Sequence, residues 1–204
     1  MPTFRNKSEI NDPLVKSRRY EVLTPKIDWK LCSNSKWCRG LGRRLGWIEG
    51  PVEIVEALEA VQGSSILCPD SLHQMALTDY VRKGIETNSI RPYVRRTARL
   101  YERAAQRTVQ AIHEYLGLPC LKPQGGLYTV VRTGVGSSEF TRMLLEHTGV
   151  VVVPGWGFGN TLNQAVRVSY GPLVHNLDKI DVAMKRIGAF LRKRGFRAHA
   201  RDHI

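Results

Sequence analysis

Ser33-Asn34-Ser35-Lys36-Trp37-Cys38-Arg39-Gly40-Leu41-Gly42-Arg43-Arg44-Leu45-Gly46 is the stretch on which the reading of this chain turns. A lysine amine becomes nucleophilic when burial or nearby positive charge lowers its pKa, and Arg39, Arg43 and Arg44 place that charge close in sequence. A phosphate needs hydroxyl and guanidinium donors, which Ser33, Ser35 and Arg44 offer. An amine for an aldehyde, with phosphate donors three residues before it and eight after, is the chemistry of a pocket for pyridoxal 5'-phosphate. Taken alone, a lysine beside two serines reads as a solvated loop; the spacing of Gly42 and Gly46 adds to the case for the pocket.

The rest of the chain sets bounds around this motif. Its 204 residues, 42% of them hydrophobic, suffice for one large domain or two small ones. Long uncharged apolar runs are absent, which excludes a spanning helix. The segment Met1–Tyr20 is polar and basic, unlike a secretory signal. The formal net charge of +13 is unevenly placed. Residues 1–44 hold 11 Lys/Arg against 4 Asp/Glu, residues 185–204 hold 7 against 1, and the body between is balanced. Basic ends attract polyanions without specificity, and no aromatic-interleaved basic patch or zinc-finger spacing supports nucleic acid as a partner. Cys32, Cys38, Cys68 and Cys120 form no CxxC pair and read as reduced thiols of a cytoplasmic protein. The six histidines share no metal-ligand spacing, so no metal is expected, and most read as surface residues.

Periodicity organises the chain from about Leu31 onward. Residues 1–31 carry three prolines and no sustained period, which predicts a poorly ordered basic segment. Pro51 at a first helical position, with Ile54, Val55, Leu58 and Val61, predicts a helix ended by Gly63-Ser64-Ser65. A second helix starts after Pro69, capped by Asp70 or Ser71, with Leu72, Met75, Ala76 and Tyr80 along one face. The longest helix is expected over Arg91–Leu116, its arginine row a solvated face with partners such as Glu102, stopped by Gly117 and Pro119. Strands are predicted at Leu127–Val131, Val150–Val153 and Ala165–Tyr170, and helices after Ser137 or Ser138 and from Asn176 to Gly195. Gly125, Gly126, Gly155, Gly157 and Gly159 read as turn formers, Tyr128 as core, and Trp156 as packing or the lining of an entrance. The order helix, strand, helix, strand, strand, helix describes an α/β layer. A boundary is expected near residues 85–92, dividing a segment at 32–90 from a small α/β domain at 91–195, with a basic tail at 196–204.

Four ordered segments resemble the class I/II pyridoxal-phosphate-dependent aminotransferases of fold type I. The first is Ser33-x-Ser35-Lys36-x5-Gly42-x-Arg44-Leu45-Gly46, similar to the family's lysine signature. Then come Lys122-Pro123-Gln124-Gly125-Gly126-Leu127-Tyr128, the strand Val150–Val153 followed by Pro154-Gly155-Trp156-Gly157-Phe158-Gly159, and Val166-Arg167-Val168-Ser169-Tyr170. The resemblance runs from about Ser33 to Leu191 and implies the C-terminal half of the fold: the small domain plus a remnant of the large, cofactor-binding domain. It implies that Lys36 holds pyridoxal 5'-phosphate as an internal aldimine and then shuttles the substrate proton. Ser33 and Arg44, with Ser35 as a lesser candidate, would bind the cofactor phosphate, and Arg167 would bind the substrate carboxylate. Substrates would be an amino acid and a 2-oxo acid, and the assembly a homodimer. Asn34 departs from the family's hydrophobic or aromatic residue at that position. Residues 1–35 show no match to the family segment that supplies a ring-nitrogen aspartate. Two other readings follow: a truncated, inactive fragment of the family, and a polyanion-binding module using the basic ends. An arginine at position 167 is also compatible with the surface of an edge strand.

Overall fold

The computed structural model describes residues 30–37 and 42–196. The expected disorder of residues 1–31 and the basic tail at 196–204 lie almost wholly outside the described residues. The described chain divides into two compact units, one running to Arg95 and the other from Arg96.

The first unit opens with a hairpin. Strand β1 (Lys30–Ser33) leads into a helical turn, α1 (Asn34–Trp37), and strand β2 (Gly46–Glu49) returns antiparallel with Ser33 opposite Gly46. Two helices follow, α2 (Val52–Ser65) and α3 (Ser71–Glu86). Pro51 sits at the N-cap of α2 rather than inside it, and the helix continues through Gly63 to Ser65, further than the Gly-Ser cluster suggests. Asp70 caps α3, its carboxylate accepting from the Leu72 and His73 amides at 3.0 and 3.3 Å. The apolar stripe expected on α3 faces outward: Leu72 and Met75 are 75% and 70% exposed, while Gly84 is the buried position of the helix.

Helix α4 (Ile90–Leu116) crosses from the first unit into the second. Thr97, Tyr101, Ala104, Ala105, Thr108, Ala111 and Ile112 are buried along it. Gly117, with φ near +63°, ends it and donates back to the Ile112 and His113 carbonyls. The arginine row is not uniformly solvated. Arg107 is half-buried and forks onto the Asp181 carboxylate of the last helix, with Glu114 3.6 Å away.

In the second unit, β3 (Tyr128–Arg132), α5 (Ser137–Thr148), β4 (Val153–Pro154), β5 (Ala165–Ser169) and α6 (Asp178–Lys193) follow in the predicted order. The three strands form an antiparallel sheet in the order β3-β5-β4. Strand β4 is shorter than its β-branched content suggests: only Val153 and Pro154 pair with β5, and Val151 is 72% exposed. Neither Ser137 nor Ser138 caps α5. Gly136 holds that position, and the Ser137 hydroxyl accepts from the Trp156 amide at 3.3 Å instead. Phe140 and Leu144 of α5, Val131, Val166 and Val168 of the sheet, and Ile180, Met184, Ile187 and Leu191 of α6 pack with Ile112 into one core. A smaller cluster joins Tyr101, Ala104 and Ala105 to Tyr170 and Val174.

Burial has a titration consequence here. It pushes the Cys120 thiol up to about 11 and the Tyr170 phenol up to about 12. Both groups are neutral when protonated, and the unfolded chain releases those protons first. Their contribution to stability is therefore complete below the unfolded values and lost as pH rises through the folded ones. Between about pH 8 and about pH 10.5, wild type is expected to lose on the order of 1 kcal/mol more unfolding free energy than Cys120→Ala, less than the full shift because solvent screens a partly exposed thiol. Urea unfolding at the two pH values measures it, and equal losses would contradict the prediction.

Candidate functional site

In the first unit, the turn carrying Lys36 is held by short local bonds. Ser33 ends β1, and its hydroxyl oxygen accepts from the Ser35 amide at 3.2 Å, as a helix N-cap does. The Ser33 O–H remains a donor, since a hydroxyl both donates and accepts. The Asn34 amide donates to the Leu45 carbonyl at 3.2 Å, closing the loop between the strands. That bond brings Arg44, the neighbour of Leu45, to the same end of the hairpin as Ser33 and Lys36. Arg44 is exposed and adopts φ near +55°, and Gly42 adopts +83°, so the returning strand enters through a left-handed turn. Gly46 is needed for the pairing itself, because a Cβ there would lie 2.7 Å from the Cys32 carbonyl oxygen.

Asn34, where the family resemblance led one to expect an apolar residue, is completely buried. Its side-chain amide is hydrogen-bonded with His73 Nε2 at 2.6 Å. This ties the lysine turn to α3 and leaves His73 half-buried. No sequence spacing signals the contact: 39 residues separate the partners. Ser35 is also buried and Lys36 half-buried.

In the second unit, Arg167 lies on β5, the central strand, opposite both Val130 and Val153. The edge-strand alternative is thereby removed. Alternation along β5 buries Val166 and Val168 on one face and turns Arg167 to the other. There its guanidinium carbon lies 4.4 Å from the Tyr128 ring centre and 4.8 Å from that of Phe158. Each such contact contributes roughly 0.5–1 kcal/mol or more as water is excluded. Arg167 Nε is buried and has no hydrogen-bond partner among the described residues. A donor in that state costs free energy unless an acceptor arrives, and a carboxylate is the natural acceptor for a guanidinium fork.

Tyr128 is half-buried rather than core, and its ring serves as one wall for Arg167. Phe158 was not singled out from sequence. It follows Gly155 in a tight 3-10 turn (Gly155–Phe158), and both it and Trp156 are more than half exposed. The period-2 pattern placing Tyr128 and Val130 on one face of β3 was the available signal for Tyr128. Nothing comparable marks Phe158, whose position depends on the turn.

The donor set of the first unit, an amine with two hydroxyls and a guanidinium at one end of a hairpin, fits a phosphate-bearing aldehyde in its chemistry. Among the described residues, no group of three or more acidic, histidine or cysteine side chains is gathered to hold a metal ion. No helix among them is long and apolar enough to cross a membrane.

The chain is similar to known proteins over most of its length. The family model described as aminotransferase class I and II matches residues 31–187. The chain is 31% identical to aromatic-amino-acid aminotransferase 2 of Thermococcus litoralis over 156 residues, covering 75% of this chain and 38% of that protein. It is equally similar, with the same coverage, to an aspartate aminotransferase of Pyrococcus abyssi. Among solved structures, the aromatic aminotransferase of Pyrococcus horikoshii superimposes with a TM-score of 0.73 at 28% identity, over 83% of this chain and 44% of that one. The chain thus spans about two fifths of the length of the curated relatives it matches.

Proposed function

Because the chain belongs to the class I and II aminotransferase family, we propose that it is the lysine-bearing C-terminal part of a pyridoxal-phosphate-dependent aminotransferase, moving an amino group between an amino acid and a 2-oxo acid. The observation that carries this reading is Arg167: an arginine on the central strand, walled by Tyr128 and Phe158, with a buried Nε that has no acceptor among the described residues. That is the state of a side chain kept for the carboxylate of a small molecule. Bound pyridoxal phosphate supplies an electron sink that acidifies the α-proton of an amino acid. The Lys36 amine holds the cofactor and then, as a general base, takes and returns that proton at the substrate α-carbon. Ser33 and Arg44 bind the phosphate, Ser33 through its remaining O–H, with the buried Ser35 in a supporting place. Arg167 fixes the substrate by paired N–H bonds, so that the α-carbon is presented in one orientation.

The test is chemical. Incubation with pyridoxal phosphate, reduction with borohydride and peptide mapping are expected to place one phosphopyridoxyl group per chain on Lys36. Labelling spread over surface lysines in proportion to their exposure would sink the assignment.

One observation favours a second reading, in which these residues keep the fold without catalysing anything on their own. Every buried hydrophobic residue among those described belongs to the second unit, from Tyr101 onward. The elements around Lys36 have no apolar core of their own, and a lysine poorly held in place is a poor base. A chain that accepts the cofactor on Lys36 yet shows no half-reaction with any amino acid would fit this reading.

A further inference from the structure

Within the second unit, helix α4 carries a row of arginines whose charge no neighbour offsets. Arg96, Arg99 and Arg103 are exposed, and spacings of three and four residues put them on one face of the helix. That face lies about 150° around the axis from the buried side marked by Tyr101, Ala104, Thr108 and Ala111. Glu102, the partner that the sequence suggests, makes no ion pair with them. Nor does any other acidic side chain among the described residues, whereas Arg107, next along the row, is taken up by Asp181 and Glu114. Like charges at these spacings repel along a helix, so the row is a concentrated positive charge held on a rigid element.

The chemistry around the row selects its partner. No large hydrophobic side chain of α4 is among the exposed ones. The helix therefore lacks the apolar anchors of a protein interface and any aromatic platform for unpaired bases. A helix lying on a membrane sinks its apolar side into lipid, but here that side is occupied by the two buried clusters. Gln106 and Gln110, exposed on the arginine side, add neutral donors. From Arg96 to Arg103 the helix rises about 10 Å, a length along which a duplex presents about six phosphate charges. Guanidinium forks suit phosphate oxygens. We propose that this face of α4 docks on the phosphate backbone of a nucleic-acid duplex, without regard to base sequence. The site goes beyond the aminotransferase reading and uses neither Lys36 nor Arg167.

The experiment follows binding of the full chain to a fluorescein-labelled DNA duplex of about two turns, by anisotropy, between about 50 and 200 mM salt. Each phosphate contact adds about 0.9 to the slope of log affinity against log salt. Changing Arg96→Gln, Arg99→Gln and Arg103→Gln together is expected to remove about 2.7 of that slope and at least tenfold in affinity at the lowest salt. Glutamine is a good helix former, so the circular dichroism is kept. Arg99→Gln alone, expected to remove about 0.9, gives the same readout with one exposed side chain altered. Lysine at all three positions is expected to preserve the slope, since it also neutralises phosphate. A variant of equal net charge, with Arg142→Gln, Lys179→Gln and Arg186→Gln on exposed positions of α5 and α6, is expected to keep the wild-type slope and so separates the row from the basic ends of the chain. An equal loss in this control and in the α4 variant overturns the proposal, as does a wild-type chain that leaves the duplex unbound. Arginine-dependent binding to phosphatidylserine vesicles but not to the duplex also overturns it, because the partner would then be a membrane.

Discussion

Gly155→Ala is expected to lower the thermal midpoint of the second unit by on the order of 10–20 °C, whereas Gly157→Ala, two residues on, leaves it almost unchanged. The difference is one of space. A methyl group on Gly155 would lie 2.3 Å from the Leu162 carbonyl oxygen and 2.5 Å from that of Ala165, and both obstacles are backbone. Ala165 begins β5 and is fixed by its pairing with Arg132, so it has little freedom to retreat. Forcing an atom into such a site costs roughly 1–3 kcal/mol or more. In a unit of about a hundred residues, each kcal/mol shifts the midpoint by about 4–8 °C. A methyl group at Gly157 would meet nothing within 4 Å, and its cost is expected to stay within about 0.5 kcal/mol. Thermal unfolding followed by circular dichroism compares the two. Equal shifts would mean that the turn before β5 yields and that the close approach is not what fixes it.

The second large effect concerns ligand affinity. Arg167→Ala is expected to weaken binding of a 2-oxo acid by about 10–100-fold, and Arg167→Lys by about tenfold. A charge-assisted hydrogen bond contributes about 1.5–3 kcal/mol, and 1.4 kcal/mol is a factor of ten. Lysine keeps the charge but not the planar fork, so it recovers only part of the loss. Neither variant is expected to cost more than about 1–2 kcal/mol of stability, the scale of the two ring contacts that disappear. Calorimetric titration with 2-oxoglutarate, in the presence of pyridoxal phosphate, measures the affinity. Arg142→Ala is the control, because Arg142 is exposed and pairs, among the described residues, with Glu146 one turn on. If Arg142→Ala weakens binding as much as Arg167→Ala, the effect is general electrostatics. If wild type takes no 2-oxo acid, the role assigned to Arg167 fails.

These two sites show what a sequence can disclose. Val166, Val168 and Arg167 were separable by alternation, because β5 has one face on the core, and a period of two then sorts side chains by chemistry. Helices α4 and α6 were legible for the same reason at their own period: each has a wide apolar stripe that the core demands. Strand β4 was overestimated, since β-branched residues report a preference for extended backbone and carry no information about how many partners the neighbouring strand has left. The outward turn of Leu72 and Met75 was invisible, because periodicity identifies a face without saying whether anything covers it. Asn34 with His73, and Arg107 with Asp181, were missed because polar pairs distant in sequence leave no periodic trace. At Lys36 the motif supplied the residue types, while the bond from Asn34 to Leu45 that gathers them at one end of the hairpin needed coordinates.

The uneven distribution of core has a consequence for synthesis. Translation delivers residues 30–95 before residues 96–196, so the unit with bare apolar faces leaves the ribosome first and the unit able to bury its own side chains follows. For the interval between them, the nascent chain presents the exposed apolar side chains of α2 and α3 to the cell before the buried clusters of the second unit exist, a state in which newly made proteins aggregate or engage chaperones. Ribosome-bound chains stopped near residue 95 are therefore the ones that a holding chaperone should occupy most heavily.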